Sequence, residues 1–220
     1  MYIGMTGGIA SGKNSIAKIF EELGCYTIDA DLISKKVMSK DNNVYNDIVT
    51  AFGGNILDKN KEINRQTLKE IIFIDNEKRK LLESIVHPAI RDYESNIVSK
   101  IKSKDDKAII ISHAALLIET GSYKKFDALI VIYLDNETQL KRLIKRDNMD
   151  RKLGISIINS QMPTIEKLKY ANFIIDNSGN IEQTREEVKR VYCLLNLHRY
   201  TKKQLRKLKD DNTHIRYKAT

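Results

Sequence analysis

A glycine-rich segment near the amino end, residues 7–15 with the sequence GGIASGKNS, constrains the fold of this chain more than any other stretch. It follows a short apolar run at residues 1–6 and opens a helical pattern that stops at Gly24. A strand, a glycine-rich turn and a helix in this order let several backbone N–H groups converge on one anion, and the helix start adds its positive dipole end. The glycine and lysine spacing is that of a P-loop, in which Lys13 is placed to reach the terminal phosphates. The segment therefore predicts a nucleotide triphosphate site.

One position of the loop departs from the motif. A serine or threonine normally follows the lysine and ligates magnesium, but here that position is Asn14, and the hydroxyl comes one residue later at Ser15. Magnesium accepts oxygen donors, so the amide oxygen of Asn14 is a candidate Mg²⁺ ligand, with a decayed metal site as the alternative. The loop residues expected to bind ATP are Gly8, Ile9, Ala10, Ser11, Gly12, Lys13, Asn14 and Ser15.

The composition is that of a globular chain with one domain, or one domain carrying an inserted lobe. Of its 220 residues, 41% are hydrophobic and 30% charged, and no apolar run approaches the roughly 20 residues of a membrane span. No signal-peptide pattern precedes the first strand, and Cys25 and Cys193 carry no metal or redox spacing, so we expect a cytoplasmic protein. The net charge of +9 favours anionic partners, and phosphorylated small molecules qualify as readily as nucleic acid, which is the weaker alternative. A monomer and a small homo-oligomer both remain open.

Two acidic residues follow the second predicted strand, residues 25–28, in the sequence Asp29-Ala30-Asp31. Residues two apart on an extended segment project to the same side, so both carboxylates are expected at the cleft beyond the strand ends, where the P-loop also lies. Phosphoryl transfer needs a carboxylate that orients or deprotonates the attacking hydroxyl, and this is the role expected of Asp31. Holding a magnesium-bound water is an alternative for Asp31, and capping the next helix is an alternative for Asp29.

From residue 32 to about residue 103 the pattern is almost wholly helical, which predicts a lobe of four helices inserted between strands two and three. The last of these helices is expected to start near His87-Pro88, where proline suits a first helical turn. His87 and Arg91 lie four residues apart and share a face. Because a guanidinium matches phosphate, they are candidates for a clamp on a second substrate, and polar residues of a helix start are the alternative.

Three further apolar runs, at residues 108–112, 127–134 and 172–175, read as buried strands and alternate with helical segments. Strands that alternate with helices predict a parallel sheet in a three-layer α/β domain.

The helical segment at residues 137–147 carries Gln139, Arg142 and Arg146 at spacings of three and four, on a face separate from its apolar stripe. Arginines on a helix after the fourth strand suit closure on a transferring phosphate, whose developing charge they neutralise. A solvated basic face beside Lys141 and Lys145 is the alternative.

Several separated motifs, in one order from Tyr2 to about Val188, resemble the dephospho-CoA kinase family. They are residues 3–13, Asp29-Ala30-Asp31, Asn64-Arg65 with Leu68, residues 87–91 (HPAIR), residues 116–119 (LLIE), Gln139 with Arg142 and Arg146, and finally Gln161, Ala171 and Asn177. The resemblance implies a P-loop kinase fold with a parallel five-stranded sheet, formed by residues 1–31 and 104–200. It also implies a helical CoA-binding lobe at 32–103 and a lid at 142–170, and it leaves a basic C-terminal tail at 201–220 uncovered.

The reaction implied by the resemblance is transfer of the ATP γ-phosphoryl, with Mg²⁺, to the ribose 3′-hydroxyl of dephospho-CoA. The implied catalytic residues are Lys13, Asp31, Arg142 and Arg146, and Arg142 and Asn177 join the loop in binding ATP. The implied substrate-binding residues are Thr6, Asp29, Asp31, Arg65, His87, Arg91, Leu116 and Glu119.

Besides Asn14, the chain departs from the family pattern at Ala115, where proline is usual, at Ser156, where arginine is usual, and at Asn172, where an acid is usual. These departures leave two alternatives open. One is another small-metabolite, nucleoside or nucleotide kinase, and the other is a non-catalytic nucleotide-binding protein.

Overall fold

Five strands form one sheet in the computed structural model, which describes residues 1–198: β1 (Tyr2–Gly7), β2 (Tyr26–Asp29), β3 (Ile110–His113), β4 (Ala128–Tyr133) and β5 (Phe173–Asp176). Their order is β2-β3-β1-β4-β5, so β1 lies at the centre. β1 pairs in parallel with β3 and β4, and β4 pairs in parallel with β5. The predicted five-stranded α/β sheet is confirmed. The tail predicted at 201–220 and the last two residues of the predicted core lie outside the described residues.

The helical segments predicted after the glycine-rich loop and at residues 137–147 are present as α1 and α6. The described helices are α1 (Lys13–Glu22), α2 (Ala30–Val37), α3 (Asn43–Phe52), α4 (Arg65–Ile74), α5 (Asn76–Lys104), α6 (Asn136–Asp147), α7 (Arg151–Asn159), α8 (Thr164–Leu168) and α9 (Ile181–His198), with short 3₁₀ turns at Gly54–Ile56 and Ser122–Lys125. Among residues 1–198, no helix is both long and apolar enough to cross a membrane.

The chain forms two compact units. Within the described residues, the first comprises residues 1–28 and 107–198, and it contains nearly all of the sheet with α1 and α6 to α9. Its core lies where α1 and α9 pack together against the sheet, around Ile3, Phe20, Ile130, Ile175 and Val188. Cys25 is buried in this core, and burial raises the pKa of its thiol to about 12.

The second unit, Asp29–Asp106, consists of α2 to α5, with the first three packed on the long α5. The predicted run of four helices is confirmed, but the predicted start of the last one is wrong. That helix begins at Asn76, because the side chain of Asp75 accepts hydrogen bonds from the amides of Glu77 and Lys78 at 2.9 and 3.0 Å. Pro88 lies inside the helix, where it removes one backbone donor from a segment of 29 residues.

Candidate active site

The loop between β1 and α1 has the backbone geometry of an anion cradle. Ala10 and Gly12 both have left-handed φ angles, of 58° and 88°, and the amide of Ser11 between them donates to the carbonyl of Gly8 at 3.2 Å. Alternation of this kind turns successive N–H groups toward one side of the chain and forms a concave anion site. Ser11 as a whole is 1% exposed, and its N–H and C=O are both engaged, with Gly8 and Asn177, so it fixes the shape of the loop. The predicted P-loop is therefore present as a folded feature.

The start of α1 lacks the cap that the other long helices have. Each of α2 to α7 begins after an Asp or Asn whose side chain accepts a hydrogen bond from a first-turn amide. At α1 the cap position is Gly12, which has no side chain to accept from those amides. The positive dipole end of α1 therefore has no acidic cap, which suits an anionic ligand, and Asn14 and Ser15 are exposed in the same turn.

The ammonium group of Lys13 lies over the loop. Its Nζ donates to the carbonyl oxygens of Gly7 and Gly8 at 3.1 and 3.2 Å. A lysine at this position of a P-loop reaches the terminal phosphates, which compete with the loop carbonyls for the same ammonium. The predicted role of Lys13 is compatible with this position.

Three amide side chains from distant parts of the first unit hold the loop from outside. The Oε1 of Gln161 accepts from the Ile9 amide at 2.8 Å, and the Nε2 of Gln139 donates to the Ile9 carbonyl at 2.9 Å. The Nδ2 of Asn177 donates to the Ser11 carbonyl at 2.8 Å. Asn177, expected to bind ATP, is buried, and its side chain supports the loop in this structure.

The two arginines of α6 differ in their surroundings. Arg146 forms a two-pronged pair with Asp147, at 2.6 Å from Nε and 2.7 Å from Nη2. This contact raises the pKa of Arg146 and lowers that of Asp147. The half-buried guanidinium of Arg142 has no hydrogen bond or ion pair to any described residue. Gln139, expected on their face, is 3% exposed and points into the protein against the loop.

An ion pair between a buried lysine and a partly exposed glutamate joins α8 to the segment that follows β3. The Nζ of Lys167, whose side chain is 0% exposed, lies 2.8 Å from Oε1 of Glu119 and donates to the Ala115 carbonyl at 2.9 Å. The hydroxyl of Thr6 donates to the same carbonyl at 3.1 Å. Thr6 and Glu119, expected to bind substrate, thus share a network with Lys167, while Leu116 is exposed.

Sequence reasoning missed Lys167. The sequence around it, Glu166-Lys167-Leu168-Lys169, looks like a charged helix surface, and its partner Glu119 is 48 positions away. Its place with Thr164 on the inner face of α8 is visible only in the structure, where both residues are buried.

The acidic pair of the second unit has a different local geometry from the one predicted. β2 ends at Asp29, which caps α2 by accepting from the Leu32 amide at 2.9 Å, and Asp31 already belongs to the first turn of α2. The expectation that both project to one side of an extended segment is therefore wrong, because the helix begins between them. Asp31 is exposed.

The other residues expected to bind substrate lie on α4 and α5. Arg65 is the first residue of α4, and its Nη2 donates to the Lys35 carbonyl at 3.1 Å. Both α5 residues, His87 and Arg91, occupy successive turns, and neither side chain is hydrogen-bonded to another described residue. Their predicted common face is thus available within this unit.

A central parallel strand, a P-loop with an uncapped helix start and a lysine over the loop together define a P-loop phosphotransferase. The chain belongs to the dephospho-CoA kinase family, whose model matches residues 1–183. A dephospho-CoA kinase of Aquifex aeolicus (strain VF5) is 42% identical over 194 residues, which are 86% of this chain and 95% of that protein.

Two solved structures are similar to this chain. The dephospho-CoA kinase from Campylobacter jejuni matches with a TM-score of 0.65 at 32% identity, over 90% of this chain and 98% of that chain. A Thermus thermophilus protein matches with a TM-score of 0.74 at 24% identity, over 89% of this chain and 97% of that chain, and it supports the fold alone. The predicted family and kinase fold are confirmed.

Proposed function

We propose that this chain transfers the γ-phosphoryl group of ATP to the ribose 3′-hydroxyl of dephospho-CoA, giving CoA and ADP in the last step of CoA biosynthesis. The observation that carries the proposal is the P-loop with its uncapped helix start, in a chain whose family model covers residues 1–183. Loop amides and Lys13 bind the phosphates and stabilise charge on the transferring group. Because the donor is ATP, we place the reaction in the cytoplasm.

The acceptor hydroxyl needs a carboxylate, and Asp31 is the one we assign to this role. It is exposed in the first turn of α2, and the residue that caps this helix is Asp29. A positioned general base orients the hydroxyl and takes its proton as the new bond forms. On α5, His87 and Arg91 are the proposed contacts to the phosphates of the acceptor, with Arg65 on α4 in the same unit.

We assign the closing positive charge to Arg142 before Arg146. Arg142 has no polar partner among residues 1–198, so no existing contact opposes its movement to phosphate. Arg146 must first leave a bidentate pair with Asp147, which raises the cost of its recruitment. The lid proposed at residues 142–170 contains both side chains, α7 and α8.

The donor set at the helix start fits Mg²⁺. The side chain of Asn14 is exposed in the first turn of α1, and its amide oxygen is a hard ligand of the kind magnesium accepts. Within the described residues, no group of three His, Cys, Asp or Glu could hold a metal by itself, so Asn14 would share the ion with phosphate oxygens and water. When bound, the ion neutralises charge on the β- and γ-phosphates.

An acceptor panel tests the proposal directly. Dephospho-CoA, adenosine monophosphate and adenosine are offered in parallel with ATP and Mg²⁺, and kcat/KM is measured from ADP release with product identification. We expect dephospho-CoA to be preferred by a factor of at least about 10³, as suits a site built for polar groups of one acceptor. A higher kcat/KM for either competitor would favour another small-molecule kinase. No transfer to any acceptor would favour a nucleotide-binding protein.

The role of Asp31 is tested by Asp31→Asn, which keeps the shape of the side chain. We expect kcat to fall by about 10²–10⁴, the usual contribution of a general base, while the Kd of ATP stays close to wild type. Asp47→Asn, at an exposed position of α3, is the matched control and should keep wild-type turnover. Wild-type turnover in Asp31→Asn would remove this carboxylate from the mechanism.

A further inference from the structure

One residue of the P-loop is held at both of its backbone polar groups. The N–H of Ile9 donates to Oε1 of Gln161 at 2.8 Å, and its carbonyl accepts from Nε2 of Gln139 at 2.9 Å. Gln139 lies on α6 and is 3% exposed, and Gln161 lies in the link between α7 and α8. Both contacts bridge more than 120 residues, at separations of 152 for Gln161 and 130 for Gln139.

The residue that follows Ile9 adopts a conformation its side chain disfavours. Ala10 has a φ of 58°, in the left-handed region where a Cβ approaches the following carbonyl. Glycine adopts this region freely, but alanine needs other contacts to stay there. The peptide between Ile9 and Ala10 is planar and trans, so its C=O and N–H point in opposite directions. Because the carbonyl is fixed on Gln139, the Ala10 N–H is turned away from α6.

We propose that Gln139 and Gln161 are positioning residues for nucleotide binding. They hold the Ile9 backbone so that Ala10 stays left-handed and its N–H remains among the donors offered to phosphate. This inference rests on the proposed binding of ATP at the loop but not on the identity of the acceptor. It also makes the link between α7 and α8 a determinant of nucleotide affinity, without contact between Gln161 and the nucleotide.

The test is a double-mutant cycle that measures the Kd of ATP by calorimetry in the absence of any acceptor. Gln161→Met keeps the length of the side chain and removes the amide acceptor. We expect it to weaken ATP binding about tenfold, which is about 1.4 kcal/mol. In the Ala10→Gly background the same change should cost threefold or less, because glycine at position 10 no longer needs to be held. Gln139→Met should behave in the same way.

Gln66→Met, at an exposed position of α4, is the matched control and should leave the Kd of ATP unchanged. The same loss in both backgrounds would show that the glutamines do not act through Ala10 and would overturn the proposal, as would an unchanged Kd in either single variant. Unfolding midpoints of all variants identify any loss of ATP affinity that is caused by unfolding. Gln139→Met and Gln161→Met each report the effect on the Kd of ATP, independently of each other. A wrong assignment of the acceptor would alter the acceptor panel and leave this cycle intact.

Discussion

Replacing Lys167 with methionine removes a fully buried cation from the first unit. Its Nζ contacts Oε1 of Glu119 at 2.8 Å and the Ala115 carbonyl at 2.9 Å. Removing one partner of a buried ion pair typically costs about 3–5 kcal/mol, because the remaining charge is left uncompensated. The side chain of Glu119 is 23% exposed and accepts from the Met162 amide at 3.3 Å, and Thr6 still serves the Ala115 carbonyl. We therefore expect a loss near the lower end, about 3 kcal/mol in the free energy of unfolding.

Urea unfolding followed by circular dichroism measures this loss, with a second estimate from Tm. For a chain of this size, about 1 kcal/mol corresponds to a Tm shift of about 2–4 °C, so the variant should unfold about 6–12 °C lower. The double variant Lys167→Met with Glu119→Gln should recover most of the stability, since neither charge is then buried alone. Lys169→Met is the matched control. This exposed lysine pairs with Glu166 on the surface, and its removal should cost less than about 1 kcal/mol.

Two results would refute this reasoning. A loss below about 1 kcal/mol in Lys167→Met would place the pair among solvated surface pairs, contrary to its burial. A double variant that loses the sum of the two single losses would show that Lys167 and Glu119 are energetically independent.

Three further predictions concern the loop, the metal and acid stability. Gly12→Ala should lower Tm and ATP affinity more than Gly24→Ala. Both glycines have φ near +90°, but only at Gly12 would an added Cβ meet Nδ2 of Asn177, at 2.3 Å. Equal effects of the two substitutions would show that the Asn177 side chain moves aside at no cost. Asn14→Ser should tighten Mg²⁺ binding, so that turnover reaches half of its maximum at a lower Mg²⁺ concentration. An unchanged Mg²⁺ dependence would count against a ligand role for Asn14. Asp135 caps α6, and hydrogen bonds from the backbone and hydroxyl of Thr138 lower the pKa of its carboxyl group. The ionised carboxylate therefore stabilises the fold fully above the unfolded pKa of about 3.9, and this stabilisation is lost as the pH falls through the lower, folded pKa. Asp135→Ala should therefore cost about 1 kcal/mol at neutral pH, and in acid unfolding this difference should shrink below about pH 4.

The parts of the fold that local sequence encodes were predictable. The spacing of Gly12 and Lys13 after an apolar run is a local signal, and the structure has the strand, loop and helix there. Each of the five predicted strands is present. Three of them, β1, β3 and β4, are buried on both faces, so each needs a continuous apolar run, which is visible without knowing its neighbours. The family resemblance then supplied the acceptor, which neither spacing nor composition indicates.

Local signals failed where two of them competed. Proline at residue 88 is typical of a first helical turn, but the carboxylate of Asp75 starts α5 earlier by accepting two amides, so the helix passes through Pro88. Asp29 was predicted either to cap the next helix or to lie with Asp31 on an extended segment, and the structure has the first arrangement. Asp29 caps α2, and Asp31 lies in the first turn of that helix. In both cases, an acidic cap at the right position decided where the helix began.

The site itself depends on contacts that no local pattern encodes. Gln161 and Met162 are adjacent in the chain, yet the side chain of the first holds the loop at Ile9 and the amide of the second donates to Glu119. Lys167, five residues after Met162, pairs with the same carboxylate oxygen of Glu119. A displacement of this short segment must therefore alter the nucleotide loop and the segment after β3 together. For that reason Lys167→Met should weaken ATP binding as well as stability, although Lys167 itself is too deeply buried to touch the nucleotide.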